Sequence, residues 1–180
     1  MEPLKVSLIN PSSSEFQKFK HWRNSYIGEN PANESNFEFW ETVRDECSYI
    51  FGFYRTNQLV GGVRFTPIGH GLTMGERLLS IDRWGIQSNP GVVLDVNRLV
   101  VDVAVRGGNI MKNALLECFR WVKENSTHST MVAVCNESLV PLYAKVGAKL
   151  VHADVSSPTI SSKKYSLIAL NLGEMYGEFH

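Results

Sequence analysis

The sequence predicts an α/β fold in which one mixed sheet carries helices on its faces. Three observations lead there. Strand-like and helix-like segments follow one another in the order β-α-α-β-β-β-α-β-α-β-β. A long apolar run, Val92 to Val103, breaks at Arg106-Gly107-Gly108-Asn109 and restarts with helical spacing at Ile110. No repeat, low-complexity tract or linker divides the 180 residues, which predicts a single domain over 1–180.

Each element has a local reason. Leu4 to Ile9 can form a first strand, closed by Asn10-Pro11. Ser12-Ser13-Ser14-Glu15 then supplies helix-start chemistry, a capping serine and an acid in the first turn. Phe16, Phe19, Trp22 and Tyr26 recur at helical spacing. The stretch from Ile27 to Ser35 reads as a loop long enough to be a mobile cover. Phe37 to Asp45 reads as a short helix carrying Phe37, Trp40 and Val43.

Tyr49 to Tyr54 and Gln58 to Thr66 form a hairpin through Arg55-Thr56-Asn57. Pro67, Gly69 and Gly71 follow, so Arg64 is expected near a strand's end beside a loop. Met74 to Leu79 suits a short helical segment, and Asp82 to Gly91 is irregular. Val92 to Val103 is the central strand. Ile110 to Glu124 is the central helix, with Ile110, Ala114, Leu115, Cys118 and Trp121 or Val122 facing inward. Thr130 to Cys135 is a β-branched strand, and Ser138 to Val146 a short helix stopped by Gly147. Ala148 to Ala153 and Lys164 to Leu170 are a last strand pair across a loop, Ser156 to Ser162.

Composition excludes several classes. Lys+Arg and Asp+Glu are both 18, so no net charge draws the chain to nucleic acid or an anionic membrane. Cys47, Cys118 and Cys135 lack CxxC spacing and read as reduced, mostly buried thiols of a cytoplasmic protein. No apolar run approaches the roughly 20 residues of a membrane span. The start, MEPLKVSLINPSSSEF, lacks the pattern of a signal peptide. His21, His70, His128, His152 and His180 share no ligand spacing, so no metal site is expected, and no G-x-S-x-G elbow is present.

The strand–glycine–helix junction carries the chemistry. A strand entering a glycine turn and then a helix leaves backbone N–H groups free to hold an anion, which points to an enzyme handling a phosphate-bearing cofactor. Asp95 and Arg98 lie just upstream, as a charge pair in the middle of the domain.

Two segments resemble the GNAT acyltransferases. Val100 to Leu116 is similar to that family's fourth strand and pyrophosphate loop, with Arg106 fitting and Asn109 and Met111 at its two small positions. NESLVPLYAKVGAKL, from Asn136, resembles the family segment that places an asparagine and, at Tyr143, a tyrosine. A narrower likeness links Tyr49 to Met74 and Val93 to Asp102 to the acyl-homoserine-lactone (autoinducer) synthases. Gly62-Val63-Arg64-Phe65-Thr66 is similar to a strand of those enzymes. Asp95-Val96-Asn97-Arg98-Leu99 is similar to their Glu-x-x-Arg-Phe, with Asp for Glu. Asp45-Glu46 stands as a loose counterpart of their acidic pair, and Arg23 and Tyr26 of their N-terminal arginine and its aromatic partner.

The resemblance implies a GNAT fold and N-acyl transfer from an acyl-CoA or acyl-carrier-protein thioester to a primary amine, S-adenosylmethionine being one acceptor. It implies a catalytic set of Asp95, Arg98 and Tyr143: Asp95 takes the amine's proton, or instead neutralises Arg98 inside the sheet, and Tyr143 protonates the leaving thiolate, or is instead an aromatic of the core. The thioester arm would meet backbone at Val101 and Val103, the loop Arg106, Gly107, Gly108, Asn109 and Ile110, and Asn136, which alternatively just caps a helix. Arg23, Arg64, Phe65 and Trp40 are the acceptor-side candidates; Arg64 and Arg98 suit a carboxylate because a guanidinium binds one bidentately. Trp22, Phe37, Phe39 and Trp84 are core or rim residues, some of which could wall an acyl pocket. An acetyl-CoA-dependent acetyltransferase and a non-catalytic binding domain remain alternatives, and assembly as a homodimer stays open.

Overall fold

The computed structural model describes residues 4–27, 34–79, 86, 91–106, 109–155 and 165–175. Trp84, Gly107, Gly108 and most or all of the loops expected over 27–35, 82–91 and 156–162 lie outside them. The element order is as expected: β1 (Lys5–Leu8), α1 (Ser14–Ile27), α2 (Phe37–Glu46), β2 (Tyr49–Arg55), β3 (Gln58–Pro67), β4 (Val93–Val101), α3 (Ile110–Asn125), β5 (Thr130–Asn136), α4 (Val140–Ala144), β6 (Lys149–Val155) and β7 (Tyr165–Asn171). Among the described residues, no helix is long and apolar enough to cross a membrane.

The termini of these elements follow from local chemistry. Ser13 caps α1, its Oγ accepting from the Phe16 N–H at 3.2 Å. Thr56 and Asn57 both have positive φ, 49° and 61°, which is the twist that a two-residue hairpin turn between β2 and β3 demands. Gly147, at φ 101°, ends the chain's passage out of α4. Of the residues at helical spacing in α1, Phe16, Phe19 and Trp22 are buried while Tyr26 is 40% exposed, and Arg23 is buried beside them. Met74 to Leu79 contains a π-helical turn, Gly75–Leu79.

The strands form one seven-stranded sheet in the order β1-β2-β3-β4-β5-β7-β6. All pairings are antiparallel except β4 with β5, which is parallel and covers just Val93–Thr130, Leu94–Met131 and Asp95–Val132. Beyond Asp95 the two strands part. β4 continues to Val101 beside β3 alone, and β5 continues to Asn136 beside β7 alone. The split is therefore built at the switch point of the sheet, where α/β proteins place ligands.

Strand alternation gives the sheet two different faces. Val63, Phe65, Leu94 and Val96 pack with Ala114, Leu115, Cys118 and Phe119 of α3 in the main core. On the opposite face, Phe16, Phe19 and Trp22 of α1 cover Ile50 and Val100. The close approach there needs Gly62: a Cβ would stand 2.7 Å from the Phe51 carbonyl oxygen and 2.8 Å from the Phe19 ring.

Candidate active site

A cleft of about 430 Å³ occupies the split. Val96 through Val101 form one wall, and Val134, Cys135, Asn136 and Tyr143 the other. Met111, in the first turn of α3, also lines it. Asn109 caps α3 with no side-chain hydrogen bond of its own among the described residues. Burial holds the Tyr143 phenol well above its ordinary range and raises the Cys135 thiol to about 11. Both groups are therefore protonated at neutral pH.

A bulge gives β4 its second function. Gly62 pairs with Val100 and Arg64 with Asn97, so β4 carries one residue more than β3 over that interval. Arg98 absorbs it at φ 55°. Residues three apart on a regular strand face opposite ways. The extra residue brings Arg98 back to the face of Asp95, and both line a second cavity of about 130 Å³. Ile27, Asn97, Arg98, Val134 and Tyr165 line both cavities, which therefore adjoin.

The second cavity is floored by buried ions. Glu41 of α2 meets Arg64 at 2.9 Å, Arg44 at 3.2 Å, Arg98 at 3.3 Å and Arg23 at 3.5 Å. Asp45, one turn on, receives both Arg23 Nη atoms at 2.6 and 2.8 Å and Arg64 at 2.7 Å. Glu34 takes Arg44 through both oxygens at 2.8 Å and Arg77 at 2.6 Å. Burial alone would raise the Glu41 carboxyl, but Arg64 and Arg98 more than offset it and hold it far below the usual carboxylate range.

Asp95 experiences the reverse balance. It is 7% exposed and, among the described residues, its carboxylate accepts only a long bond, 3.4 Å, from the Asn97 amide, which also donates to Thr66 Oγ1 at 3.1 Å. Burial pushes its carboxyl up to about 7, with Arg64 opposing and Glu76 adding to the rise. Asp95 is also the last β4 residue paired with β5, so it stands where the split begins.

The structure brings most of the expected residues together and separates others. Asp95 and Arg98 share a cavity but are not an ion pair; Arg98 turns its Nε to Glu41. Arg64 lies within β3, buried and fully engaged by Glu41, Asp45 and Asn97, rather than beside a loop. Arg23 is 1% exposed and belongs to the same network. Asp45 joins it too, while Glu46 is exposed.

Phe65 lies in the core against Phe51 and Phe119, because alternation turns it away from Arg64. Trp40 is covered by Arg77, 3.6 Å above its ring, and lines neither cavity. Val101 lines the cleft, but Val103 lies past the strand in a 3-10 turn, 58% exposed. The Asp102 N–H between them is spent on the Val60 carbonyl. Arg106 lines the cleft with its Nε tied to the Val101 carbonyl at 2.8 Å. Asn136 lines it while its Oδ1 caps Ser138. Asn109 and Ile110 open α3 but are not among the residues of the cleft wall.

Glu34, Glu41, Arg44, Asn97 and Tyr165 were not anticipated. Glu41 and Asp45 had a readable signal, two acids four residues apart on an amphipathic helix. Glu34 and Tyr165 had none.

The Acetyltransferase (GNAT) family profile matches residues 16–148, nearly three quarters of the chain. No curated protein matches it in sequence. Among solved structures, the chain is similar to FeeM, an N-acyl amino acid synthase from uncultured soil microbes. That likeness has 13% identity and TM-score 0.72, covering 96% of this chain and 92% of the other. It is similar to the AHL synthase LasI at 10% identity and TM-score 0.67, covering 94% and 90%. It is also similar to a GNAT family acetyltransferase from Elizabethkingia anophelis with acetyl-CoA bound, at 10% identity and TM-score 0.60, covering 93% and 97%. At these identities the three structures speak for the fold.

Proposed function

This chain belongs to the GNAT acetyltransferase family and is an N-acyltransferase; from that premise we propose that it acylates a primary amine that also carries a carboxylate. The donor is an acyl thioester of coenzyme A or of an acyl carrier protein, and S-adenosylmethionine is one acceptor of the required kind. The observation that carries this reading is the position of Asp95. A buried carboxyl with a midpoint near 7 stands at the head of the strand split, on the wall of a charged cavity that adjoins the cleft.

In this reading the thioester arm lies in the cleft along the unpaired edge of β4, and its phosphates approach the first turn of α3. The acceptor occupies the charged cavity. Arg98 holds its carboxylate, because its Nη atoms make no hydrogen bond among the described residues while Arg64 and Arg23 are committed to Glu41 and Asp45. Asp95 accepts the ammonium proton, directly or through a water, with a midpoint suited to work near neutrality. The free amine attacks the thioester carbonyl, a C–N bond forms and the C–S bond breaks. Tyr143 gives its phenol proton to the departing thiolate, and the proton that the nitrogen sheds on becoming an amide returns to the Tyr143 oxygen.

A matrix of acyl thioesters and amines tests this, read by mass spectrometry and thiol release. An acylated amino-acid-like product is expected, and neutral amines should be poor acceptors. Exclusive use of acetyl-CoA on neutral amines would point to an ordinary acetyltransferase. Asp95→Asn should lower kcat by about 10²–10⁴-fold with the fold retained. Near-normal turnover in that variant removes Asp95 from the mechanism.

A further inference from the structure

The segment from Ile68 to Gly75 walls the charged cavity with Thr73, Met74 and Gly75, and it is shaped by one side chain. Ile68 makes the last tie to the sheet, its N–H donating to the Val93 carbonyl at 3.0 Å. Gly69 and Gly71 then take positive φ, 101° and 65°, which turns their N–H groups toward one point. The Glu76 carboxylate fills that point. Its Oε1 accepts from Gly69 at 2.6 Å and Gly71 at 3.2 Å, and its Oε2 from Thr73 at 3.0 Å. Thr73 Oγ1 accepts in return from the Glu76 N–H at 3.1 Å. Converging backbone N–H groups form an anion nest, here filled by the chain's own carboxylate.

The nest has two consequences for the site. It presents the Leu72 carbonyl to Arg44 Nε at 2.6 Å, docking the loop onto the ion network beneath the cavity. It also fixes a negative charge within electrostatic reach of Asp95.

We propose that Glu76 is a positioning residue for acyl transfer: its carboxylate folds the Ile68–Gly75 loop into the wall of the acceptor cavity that Asp95 also lines, and holds a negative charge in that loop. This rests on the reading of Asp95 as the proton acceptor. The groups acting on Asp95 are Arg64 from β3, Arg44 from α2, Glu76 from the π-helical turn, Asn97 on its own strand and, coupled to it, Tyr143 from α4. Arg64 and Arg44 favour the ionised carboxylate and are themselves bound to Glu41, Asp45 and Glu34. Burial is the main reason that Asp95 holds a proton near neutral pH, and Glu76 opposes the two arginines and adds to that rise.

Two variants separate the parts of this role. Glu76→Gln keeps an oxygen for the nest and removes the charge; Glu76→Ala removes both. In Glu76→Gln, the Asp95 midpoint, followed by carboxyl-carbon NMR on the protein alone, should fall by about half a pH unit or more. The acidic limb of the pH–rate profile should move down with it, since a base with a lower midpoint is ionised earlier. In Glu76→Ala, hydrogen exchange at Gly69, Gly71 and Thr73 should accelerate about 100-fold. KM for the amine should rise about tenfold while KM for the thioester stays within about twofold. An unmoved Asp95 midpoint in Glu76→Gln, or amides as protected in Glu76→Ala as in wild type, overturns the proposal. Should Glu76→Ala not fold, the Glu76→Gln titration decides alone. A wild-type protein that acylates no amine refutes the functional reading instead, and the titration and exchange still judge Glu76.

Discussion

The two faces of β3 and β4 are made from alternating residues of the same strands, yet they obey different rules. Toward α3 lie Val63, Phe65, Leu94 and Val96, apolar groups that pack with no need of a particular partner. Toward α2 lie Arg64, Thr66, Asp95 and Asn97, each of which depends on a polar group brought from elsewhere. The apolar face gains from every contact it adds. The charged face is stable only as a complete set, because each buried ion left without its counterion is expensive. One strand pair thus carries the stabilising core on one side and the reactive groups on the other.

The sharpest way to break this contrast is Glu41→Ala. Four guanidiniums share that carboxylate, and removing it should cost about 3–5 kcal/mol in urea denaturation. A loss below about 1 kcal/mol would mean that the arginines are compensated without it.

A second, somewhat smaller effect is in pH dependence. Glu41, with its midpoint lowered, contributes stability that is present above its unfolded value of 4.5 and lost as pH falls. Asp95 runs the other way: its midpoint rises from 3.8 to about 7, so its contribution is present below 3.8 and lost as pH rises through 7. Asp95→Asn should therefore gain on wild type between pH 4 and pH 8, by about 3 kcal/mol. A stability difference that stays flat across that interval would show Asp95 ionised at ordinary cost.

The smallest effect tests the apolar end of the same face. Gly62→Ala places a Cβ against the Phe51 carbonyl and the Phe19 ring and should cost about 1–3 kcal/mol, with KM for the amine unchanged. A raised amine KM would mean that α1 packing and the charged cavity are not independent.

The order of elements was legible because periodicity and local breakers state it directly. Ser13, Thr56-Asn57 and Gly147 act within a few residues of where they stand. The end of β4 was not legible: Val100 through Val105 is apolar apart from Asp102, and nothing in it marks that the chain leaves the sheet after Val101. Asp95, Arg98 and Tyr143 stand out in the sequence because they lie in motifs, and the structure places them on the walls of the two adjoining cavities. Phe65 was misplaced for the same reason, since a motif names neighbours without stating which face each occupies. Glu34 and Glu76 are not legible in the sequence, one lying inside the stretch that reads as a loop and the other in a short turn, where a carboxylate usually signals only solvent.

By itself, the sequence determined the α/β order, the apolar stripes and the motif residues on β4 and α4. Those are set by interactions between residues close along the chain. Only the tertiary structure decided that Arg98 pairs with Glu41, that Arg64 and Arg23 are engaged by α2, and that Asp95 is the carboxyl left with a weak partner. Those outcomes depend on a one-residue bulge and on contacts between segments some 20 to 60 residues apart. Ionic pairing is settled by distance and desolvation, neither of which is written in local sequence.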